Sequence, residues 1–187
     1  MSSSEIKHAA LRHFAISGYS GTSLSIIASE VGIKKQSIYA HFKNKDSLFL
    51  TIMDEVLSRE IDYIKHYFHD NKEANFEAKL YQLLIGYSER YQLQADTAFL
   101  LRMGFLPPVH LLQQVMNCVY TYYDEMEEIL IEIFAKNTQF LSVSVESAVI
   151  AFIGLIDSIL VELLYSGNDR YQRRLQAGWK VYWQGIT

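Results

Sequence analysis

Apolar side chains recur every three or four residues along most of the chain, which is the spacing of helices that bury one face. This pattern predicts nine helices, and no stretch alternates apolar and polar residues as a half-buried strand would. The first helix covers about residues 4–16, and Gly18 and Gly32 stand where a left-handed residue would end the first two helices. With nine Gly and two Pro in 187 residues, the predicted fold class is all-α.

Caps and breakers set the bounds of the other helices. Thr22 and Ser23 are good caps for a second helix that ends at Val31. The pair Pro107-Pro108 suits the start of a helix and is predicted to begin the seventh. The third helix is predicted at about 34–42, and the fourth from 44 or 45 to the polar break Asp70-Asn71-Lys72. The remaining predicted ranges are 75–94, 96–106, 107–136, 144–165 and 169–184.

Charge is distributed unevenly along the chain. Residues 1–50 hold six Lys or Arg and three acids, a net charge of +3, whereas the rest holds 11 basic and 18 acidic residues, a net charge of −7. The single Cys, Cys118, allows neither a disulfide framework nor a four-cysteine metal site. No window of 18 uncharged apolar residues and no secretory signal is visible, so we expect a soluble cytoplasmic protein without a membrane partner.

Residues 22–45 carry the most specific pattern. Two short helices joined by a tight turn at Gly32 predict a helix-turn-helix, whose second helix lies in the major groove of DNA. The outer face of that helix combines ammonium groups suited to phosphate or guanine with an amide that can read adenine. The hydroxyls at the start of the second helix and the Lys at the start of the fourth could also meet phosphates. The predicted DNA-binding residues are Thr22, Ser23, Lys34, Lys35, Gln36, Ser37, Tyr39, Ala40, His41 and Lys45.

About 45 residues of this region resemble the signature of the tetracycline-repressor (TetR/AcrR) family. The matching motifs are Gly18-Tyr19, Thr22-Ser23-Leu24, Ile27-Ala28, Val31-Gly32-Ile33, Ile38-Tyr39, His41-Phe42, Asn44-Lys45 and Leu48-Phe49. The resemblance implies a homodimeric all-α repressor, with a three-helix DNA-binding head at residues 1–46 and a six-helix ligand-binding and dimerisation body at 47–187.

The same resemblance implies roles for single residues. Tyr39, His41 and Lys45 would contact phosphates, while the side chains nearest the bases would be Lys35, Gln36 and Ser37. The family often has a small residue where Gln36 stands and Ser where Lys34 stands. These two departures leave the operator sequence open.

The last two helices predict the contact between two copies of the chain. The eighth helix is apolar around nearly its whole circumference, and Gly154 and Ser158 are small enough to let another helix approach. On the ninth helix Leu175, Trp179 and Trp183 are framed by Arg residues, as at the centres of protein interfaces. We predict a four-helix dimer contact that contains these five residues. The alternative, that the tryptophans cover the core of one protomer, stays open.

Aromatic and Met side chains crowd the middle of the chain and predict a ligand chamber. The candidate lining residues are Tyr87, Tyr91, Met103, Phe105, His110, Met116, Tyr120, Tyr123 and Asp157. Tyr at helical spacing is also typical of a core, and Asp157 could instead pair with Arg173 or Arg174 across a dimer. Because this region has few cationic groups, we expect a lipophilic or planar effector, which would release the repressor from its double-stranded DNA operator.

Two other classes of protein remain open. His66, His69 and Asp70 are close together, and two His three residues apart on a helix could hold a metal. No third ligand follows at a suitable spacing, so a metal-dependent helical enzyme is disfavoured, and we expect no enzyme, metal or cofactor. The other alternative is a helical protein-interaction module with a vestigial head, which a binding assay with the DNA upstream of the gene would distinguish.

Overall fold

The computed structural model describes residues 2–71 and 75–187, and within those residues it is helical without strands. The all-α prediction is confirmed. Two short 3₁₀ helices, Val109–Leu111 and Thr138–Phe140, stand in the connections before α7 and α8. The α-helices are α1 (Ser3–Gly21), α2 (Leu24–Val31), α3 (Lys35–Ile38), α4 (Lys45–Asp70), α5 (Phe76–Leu93), α6 (Ala95–Phe105), α7 (Leu112–Ala135), α8 (Val145–Tyr165) and α9 (Asn168–Ile186).

Helix ends are fixed by the caps that the sequence suggests. The Ser23 hydroxyl caps α2, and Gly32 ends that helix in the left-handed conformation, with a φ of 73°. Ser144 caps α8 in the same way as Ser23 caps α2. At Gly18, where the first helix was predicted to end, the backbone leaves the helical region with a φ of 71°, and α1 then resumes as far as Gly21.

The third helix is shorter than predicted, because α3 ends at Ile38 and not near Phe42. The backbone N–H of His41 donates to the carbonyl of Ile38 over 2.9 Å, three residues back, so the chain tightens into 3₁₀-type turns. Ile38 and Phe42 are nevertheless both buried, as the spacing predicts.

The seventh helix begins at Leu112 and not at Pro107. Pro108 has an extended ψ of 128°, and the residue before a proline avoids the helical region, as Leu106 does with a ψ of 62°. The two prolines therefore separate α6 from the next helical turn. The polar break predicted at residues 70–72 includes Lys72, which lies outside the described residues; Asn71 forms a turn.

The chain packs as two compact units. The N-terminal unit consists of the residues up to Arg59 together with Gln94–Thr121, and the C-terminal unit consists of Glu60–Leu93 and Tyr122–Thr187. The boundary predicted after residue 46 concerns function rather than packing, and it stays a prediction.

The N-terminal unit is built around aromatic rings contributed by three helices. Phe49 of α4 lies 5.2 Å from Phe14 of α1 and 5.5 Å from Phe99 of α6, measured between ring centroids, and all three rings are fully buried. Arg102 of α6 donates to the carbonyl of Ile16 over 2.9 Å, just before the interruption of α1 at Gly18. Helix α1, which precedes the helix-turn-helix, is thus held against α4 and α6 by closely packed rings.

In the C-terminal unit, α8 and α9 pack together and against α5. The Tyr182 hydroxyl of α9 donates to the carbonyl of Ala148 over 2.9 Å, and the Tyr171 hydroxyl donates to the carbonyl of Leu84. Helix α8 is long and apolar enough to cross a membrane by length and composition alone. A core helix passes the same test, and several side chains of α8, such as Phe152, are fully buried within the unit.

Candidate nucleic-acid interface

Seven of the ten predicted DNA-binding side chains are exposed along one stretch of chain. They are Lys34, Lys35, Gln36, Ser37, Tyr39, Ala40 and His41. Ile38 in the middle of the stretch is fully buried, as is Ile27 of the preceding helix. These apolar side chains anchor the turn, so the polar groups on either side of them stand outward from a fixed backbone.

The polar groups of this stretch are not engaged with the protein. Among the described residues, no hydrogen bond or ion pair holds the side chains of Lys34, Lys35 or Gln36. Two ammonium groups and an amide are therefore available together on one surface. This is a donor set suited to phosphate oxygens and to base edges in a major groove.

The other three predicted DNA-binding residues are used inside the protein. Thr22 is 2 % exposed, and its hydroxyl donates to the carbonyl of Gly18 over 2.8 Å. The Ser23 hydroxyl accepts the backbone N–H three residues further on and thereby caps α2. The Lys45 ammonium donates to the carbonyls of Tyr19 and Thr22, both over 2.9 Å. These three side chains bind backbone groups at the end of α1 and the start of α2, so they are engaged within the protein.

Lys45 belongs to a cluster at the start of α4 that sequence reasoning missed. Its ammonium lies 3.9 Å from the centroid of the Tyr19 ring, and the Tyr19 hydroxyl donates to Asp46. His110 joins from the segment after the two prolines, with its Nε2 atom 3.2 Å from an Asp46 oxygen. The only sequence signal was the position of Tyr19 after Gly18 and of Asp46 in the first turn of α4. We call Tyr19, Lys45, Asp46 and His110 the α4 cluster.

The electrostatics of the α4 cluster follow from these contacts. Partial burial of the Lys45 ammonium lowers its pKa. The hydrogen bond from Tyr19, with a smaller contribution from His110, lowers the pKa of the Asp46 carboxyl. Burial and the bond to Asp46 raise the pKa of the Tyr19 hydroxyl, so it stays a donor at neutral pH.

The predicted ligand residues of the N-terminal unit differ in exposure. Met103 is buried, Phe105 and Met116 are half-buried, and Tyr120 is 60 % exposed. His110 is exposed and engaged with Asp46 in the α4 cluster. Their grouping around a ligand stays a prediction.

The predicted ligand residues of the C-terminal unit include a polar pair. Tyr123 donates to a carboxylate oxygen of Asp157 over 2.7 Å, and burial raises the pKa of Asp157. Among the described residues, no Lys, Arg or His lies within 4.0 Å of this carboxylate, and Arg174 binds Glu162 instead, over 2.5 Å. Tyr87 is buried and Tyr91 half-buried on α5.

The predicted dimer residues fall into two groups. Gly154 is exposed, with no atom within 4 Å of the point that a side-chain carbon would occupy, and Ser158 is half-buried. Leu175 is fully buried, and Trp179 is 9 % exposed and stacks on Trp183 with 5.4 Å between ring centroids. Leu175 thus lies inside the α8–α9 contact of one protomer, and its part in a dimer contact stays a prediction.

The His residues considered for a metal lie apart from further ligands. The Nδ1 atom of His66 lies 2.6 Å from the backbone carbonyl oxygen of Asp62. The Nδ1 atom of His69 lies 3.1 Å from a carboxylate oxygen of its neighbour Asp70. In residues 2–71 and 75–187, no group of three His, Cys, Asp or Glu side chains is arranged to hold a metal ion.

The fold and the exposed turn define a class of protein: an all-helical chain with an N-terminal helix-turn-helix domain. Residues 6–52 match the family of bacterial regulatory proteins known as the tetR family. This segment is therefore similar to the tetR family, and the resemblance seen in the sequence is confirmed for residues 6–52.

Known relatives of the chain are transcriptional regulators. Over 86 residues, 44% of this chain, it is 33% identical to IcaR, the negative transcriptional regulator of the biofilm operon icaADBC in Staphylococcus epidermidis. That match spans 45% of IcaR, so the chain aligns with less than half of this relative's length.

Solved structures share the fold over nearly the whole chain. A protein of Mesorhizobium loti assigned to the tetR family of transcriptional regulators superposes with a TM-score of 0.75 at 24% identity, covering 98% of this chain and 95% of that one. FadR of Bacillus subtilis, solved in complex with stearoyl-CoA, superposes with a TM-score of 0.69 at 22% identity, and the match covers 100% of both chains. At these identities the likeness concerns the fold alone.

Proposed function

We propose that the chain is a ligand-responsive transcriptional regulator, a repressor that binds its double-stranded DNA operator as a homodimer and has no catalytic activity. The single observation that supports this most strongly is the exposed stretch from Lys34 to His41. It presents two free ammonium groups and a free amide on a turn held by buried Ile38. The family of the N-terminal domain and the relatives at sequence level agree with this function.

The charge balance explains why two copies are needed. A net charge of +3 in the first 50 residues allows few phosphate contacts, and the remaining −7 repels DNA. Each neutralised phosphate contributes one small, salt-dependent increment to affinity. We call the exposed stretch from Lys34 to His41 the recognition turn. A dimer doubles the contacts and sets the separation of its two recognition turns near one helical repeat of DNA, about 34–36 Å.

The surface for pairing is the outer face of α8 and α9. Ile150 is 58 % exposed and Val181 is 72 % exposed, and Gly154 lies on the same exposed side of α8 as Ile150, one helical turn along. An apolar face with a glycine in it permits close contact with a helix of a second copy. Pairing through this face is our proposal for the dimer.

A bulky residue at position 154 tests the dimer. Because no atom lies within 4 Å of the added carbon, Gly154→Phe is expected to leave the protomer folded and to block the approach of a second copy. Sedimentation should then show a monomer that no longer binds operator. Lys65→Phe, which adds a ring at an exposed position of α4 outside this face, is the matched control. A Gly154→Phe dimer of unchanged affinity would rule this face out.

The effector is proposed to be lipophilic. The C-terminal unit offers aromatic side chains at Tyr87, Tyr91 and Tyr123, and FadR of Bacillus subtilis, which has a similar fold, was solved in complex with an acyl-CoA. Long-chain acyl-CoA is therefore the first compound to try in thermal-shift assays. A ligand at a hundred times its dissociation constant adds about 2.7 kcal/mol to the free energy of unfolding. The same compound must also reduce operator binding.

DNA binding is tested directly by selecting duplexes from a random library and measuring their mobility shift with the purified protein. Lys35→Ala, Gln36→Ala and Tyr39→Ala should each weaken binding by roughly tenfold or more. Lys65→Ala, an exposed lysine on the C-terminal part of α4, serves as the control and should bind normally. If the wild-type protein shifts no duplex even at low salt, the head is vestigial and the protein-interaction alternative gains support.

A further inference from the structure

Helix α1 breaks before it reaches the helix-turn-helix. Gly18 has a φ of 71° and a ψ of 178°, whereas the residues on either side of it are helical. A positive φ of this size is a conformation that glycine adopts at little cost. Only five residues, 19–23, separate Gly18 from the first residue of α2. The direction in which the chain leaves this break therefore influences where the recognition turn stands.

Arg102 of α6 lies directly on the break. Its Nη1 atom donates to the carbonyl of Ile16 over 2.9 Å, and its Nε atom lies 3.4 Å from the point that a side-chain carbon of residue 18 would occupy. A cation at the end of a helical segment binds the carbonyls there and complements the helix dipole. The last turn of α1 has no basic residue of its own. Arg102 therefore supplies, from another helix, a charge that the end of α1 lacks.

The position of Arg102 is itself fixed by α6. Its neighbour Met103 is buried, and the ring centroid of Phe99 lies 6.3 Å from that of Phe14 in α1. The backbone N–H of Leu106 donates to the carbonyl of Arg102 over 3.0 Å, so Arg102 belongs to the last turn of α6. The guanidinium therefore extends from a closely packed support.

We infer that Arg102 is a positioning residue: by binding the end of the first segment of α1, it sets the direction in which α1 resumes after Gly18 and thereby the orientation of the helix-turn-helix. This inference rests on the proposed DNA binding. The buried Ile27 and Ile38 hold the helix-turn-helix together as one body. A change at Arg102 is therefore expected to tilt the recognition turn rather than to unfold it.

The preference for one DNA sequence distinguishes positioning from a general loss of stability. Arg102→Met keeps a long side chain but removes its donors, and it should weaken binding to the duplex selected from the random library about tenfold or more. Its preference for that duplex over random DNA should also fall, because a tilted turn loses base contacts more than phosphate contacts. A variant that is merely less folded would lose affinity for both kinds of DNA by the same factor. Urea denaturation measures the folded fraction at the assay temperature.

Salt dependence distinguishes positioning from a direct phosphate contact by Arg102. Each phosphate contact that is lost reduces the slope of log affinity against log salt by about 0.9, which amounts to about 1.8 for a dimer that loses one in each protomer. Arg102→Met should leave this slope unchanged. Arg102→Lys, whose ammonium can still donate to the carbonyl of Ile16, should recover most of the affinity and of the sequence preference.

Arg59→Met is the matched control. Arg59 of α4 also binds α6, since its Nε atom donates to a carboxylate oxygen of Asp96 over 2.7 Å. Asp96 lies in the first turn of α6, and Arg59 lies about 20 Å along α4 from Lys45. This variant loses an arginine bond to the same helix without affecting the break in α1. It should bind the selected duplex like the wild type.

Gly18 and Gly32 provide a test with double variants. Both have a left-handed φ, of 71° and 73°, so alanine is strained at either position. Gly18→Ala and Arg102→Met act on the same break, so their combined loss of affinity should be smaller than the product of the two separate losses. Gly32 has no atom within 4 Å of an added carbon, and the losses of Gly32→Ala and Arg102→Met should therefore multiply.

The wild-type protein provides a reading that does not depend on any variant folding. In arginine-labelled protein, the Nη signals of Arg102 should be resolved because its hydrogen bond hinders rotation of the guanidinium, and they should stay resolved when the selected duplex is added. A freely rotating guanidinium, normal binding by folded Arg102→Met, or a slope reduced by about 1.8 in that variant would each overturn the inference. Absence of DNA binding by the wild type would overturn the proposed function itself, and the positioning role with it.

Discussion

Charged side chains have opposite surroundings in the recognition turn and in the interior of the C-terminal unit. Lys34 and Lys35 are exposed and held by no partner among the described residues. In the C-terminal unit, Arg90 is 8 % exposed, its guanidinium binds Glu60, and its central carbon lies 3.6 Å from the centroid of the Tyr63 ring.

The difference separates charges that support the fold from charges that are available for binding. A buried charge needs a partner, because an isolated one would lose its hydration without compensation. An exposed lysine without a partner contributes little to stability, and its electrostatic interaction remains free for an external anion. The environment of a charge, rather than its type, therefore indicates which substitutions will affect folding and which will affect the proposed DNA binding.

The largest effect on stability is expected at the buried ion pair. Arg90→Met leaves the Glu60 carboxylate, which is 1 % exposed, without its guanidinium partner. Breaking a buried pair from one side costs about 3–5 kcal/mol of the free energy of unfolding, measured by urea denaturation. The double variant Arg90→Met with Glu60→Met is the control and should recover much of that loss. A single variant as stable as the wild type would mean that water already reaches the pair.

A smaller effect is expected at Gly178, where α9 contacts α8. A side-chain carbon added at Gly178 would lie 2.6 Å from a methyl carbon of Leu155, closer than packed atoms come. Gly178→Ala should therefore cost about 1 kcal/mol through overpacking, the low end of the usual range, because the end of the Leu155 side chain can shift and alanine favours helix. Gly185→Ala, in the same helix but with open space around it, should be neutral or slightly stabilising because alanine favours helix. Thermal unfolding of the two variants side by side measures the difference.

The helices and the exposed recognition turn could be predicted because both depend on local patterns. Spacing of apolar residues set the helices, and the left-handed conformation of Gly32 followed from its position after Val31. Ile38 and Phe42, four residues apart, are both buried, and the polar residues between and before them are exposed. A pattern that needs only neighbours in sequence is visible without the structure.

The internal use of Lys45, Thr22 and Leu175 could not be predicted, because their partners are distant in sequence. Lys45 is 26 residues from Tyr19, whose carbonyl it binds. The sequence around a lysine that follows a recognition helix is the same whether its ammonium points to solvent or binds a backbone carbonyl. Leu175 likewise is apolar in either reading, and only the contact of α8 with α9 shows that one protomer covers it.

The half-buried Asp157 should show a modest dependence on pH. Burial raises its pKa above the ordinary value of 3.8, so the folded state binds this proton more tightly than the unfolded state. Ionisation of Asp157 therefore reduces stability as the pH rises above 3.8, and the cost remains at neutral pH. Asp157→Asn, which can still accept from Tyr123, should be more stable than the wild type at pH 7 but not at or below the ordinary pKa of 3.8. The urea midpoints of Asp157→Asn and the wild type, measured at pH 7 and at pH 3.8, test this. The same difference between the two proteins at both pH values would contradict it.

The smallest effect on stability is expected at the exposed lysines, where the comparison between the two regions becomes sharpest. Lys35→Gln removes a charge that no described protein group holds, so its free energy of unfolding should stay within about 0.5 kcal/mol of the wild-type value. The same variant should nevertheless lose operator affinity, because the ammonium is free to meet a phosphate or a guanine. Denaturation and mobility shift on one preparation give both values. A clear loss of stability without loss of DNA binding would place Lys35 among the charges that support the fold.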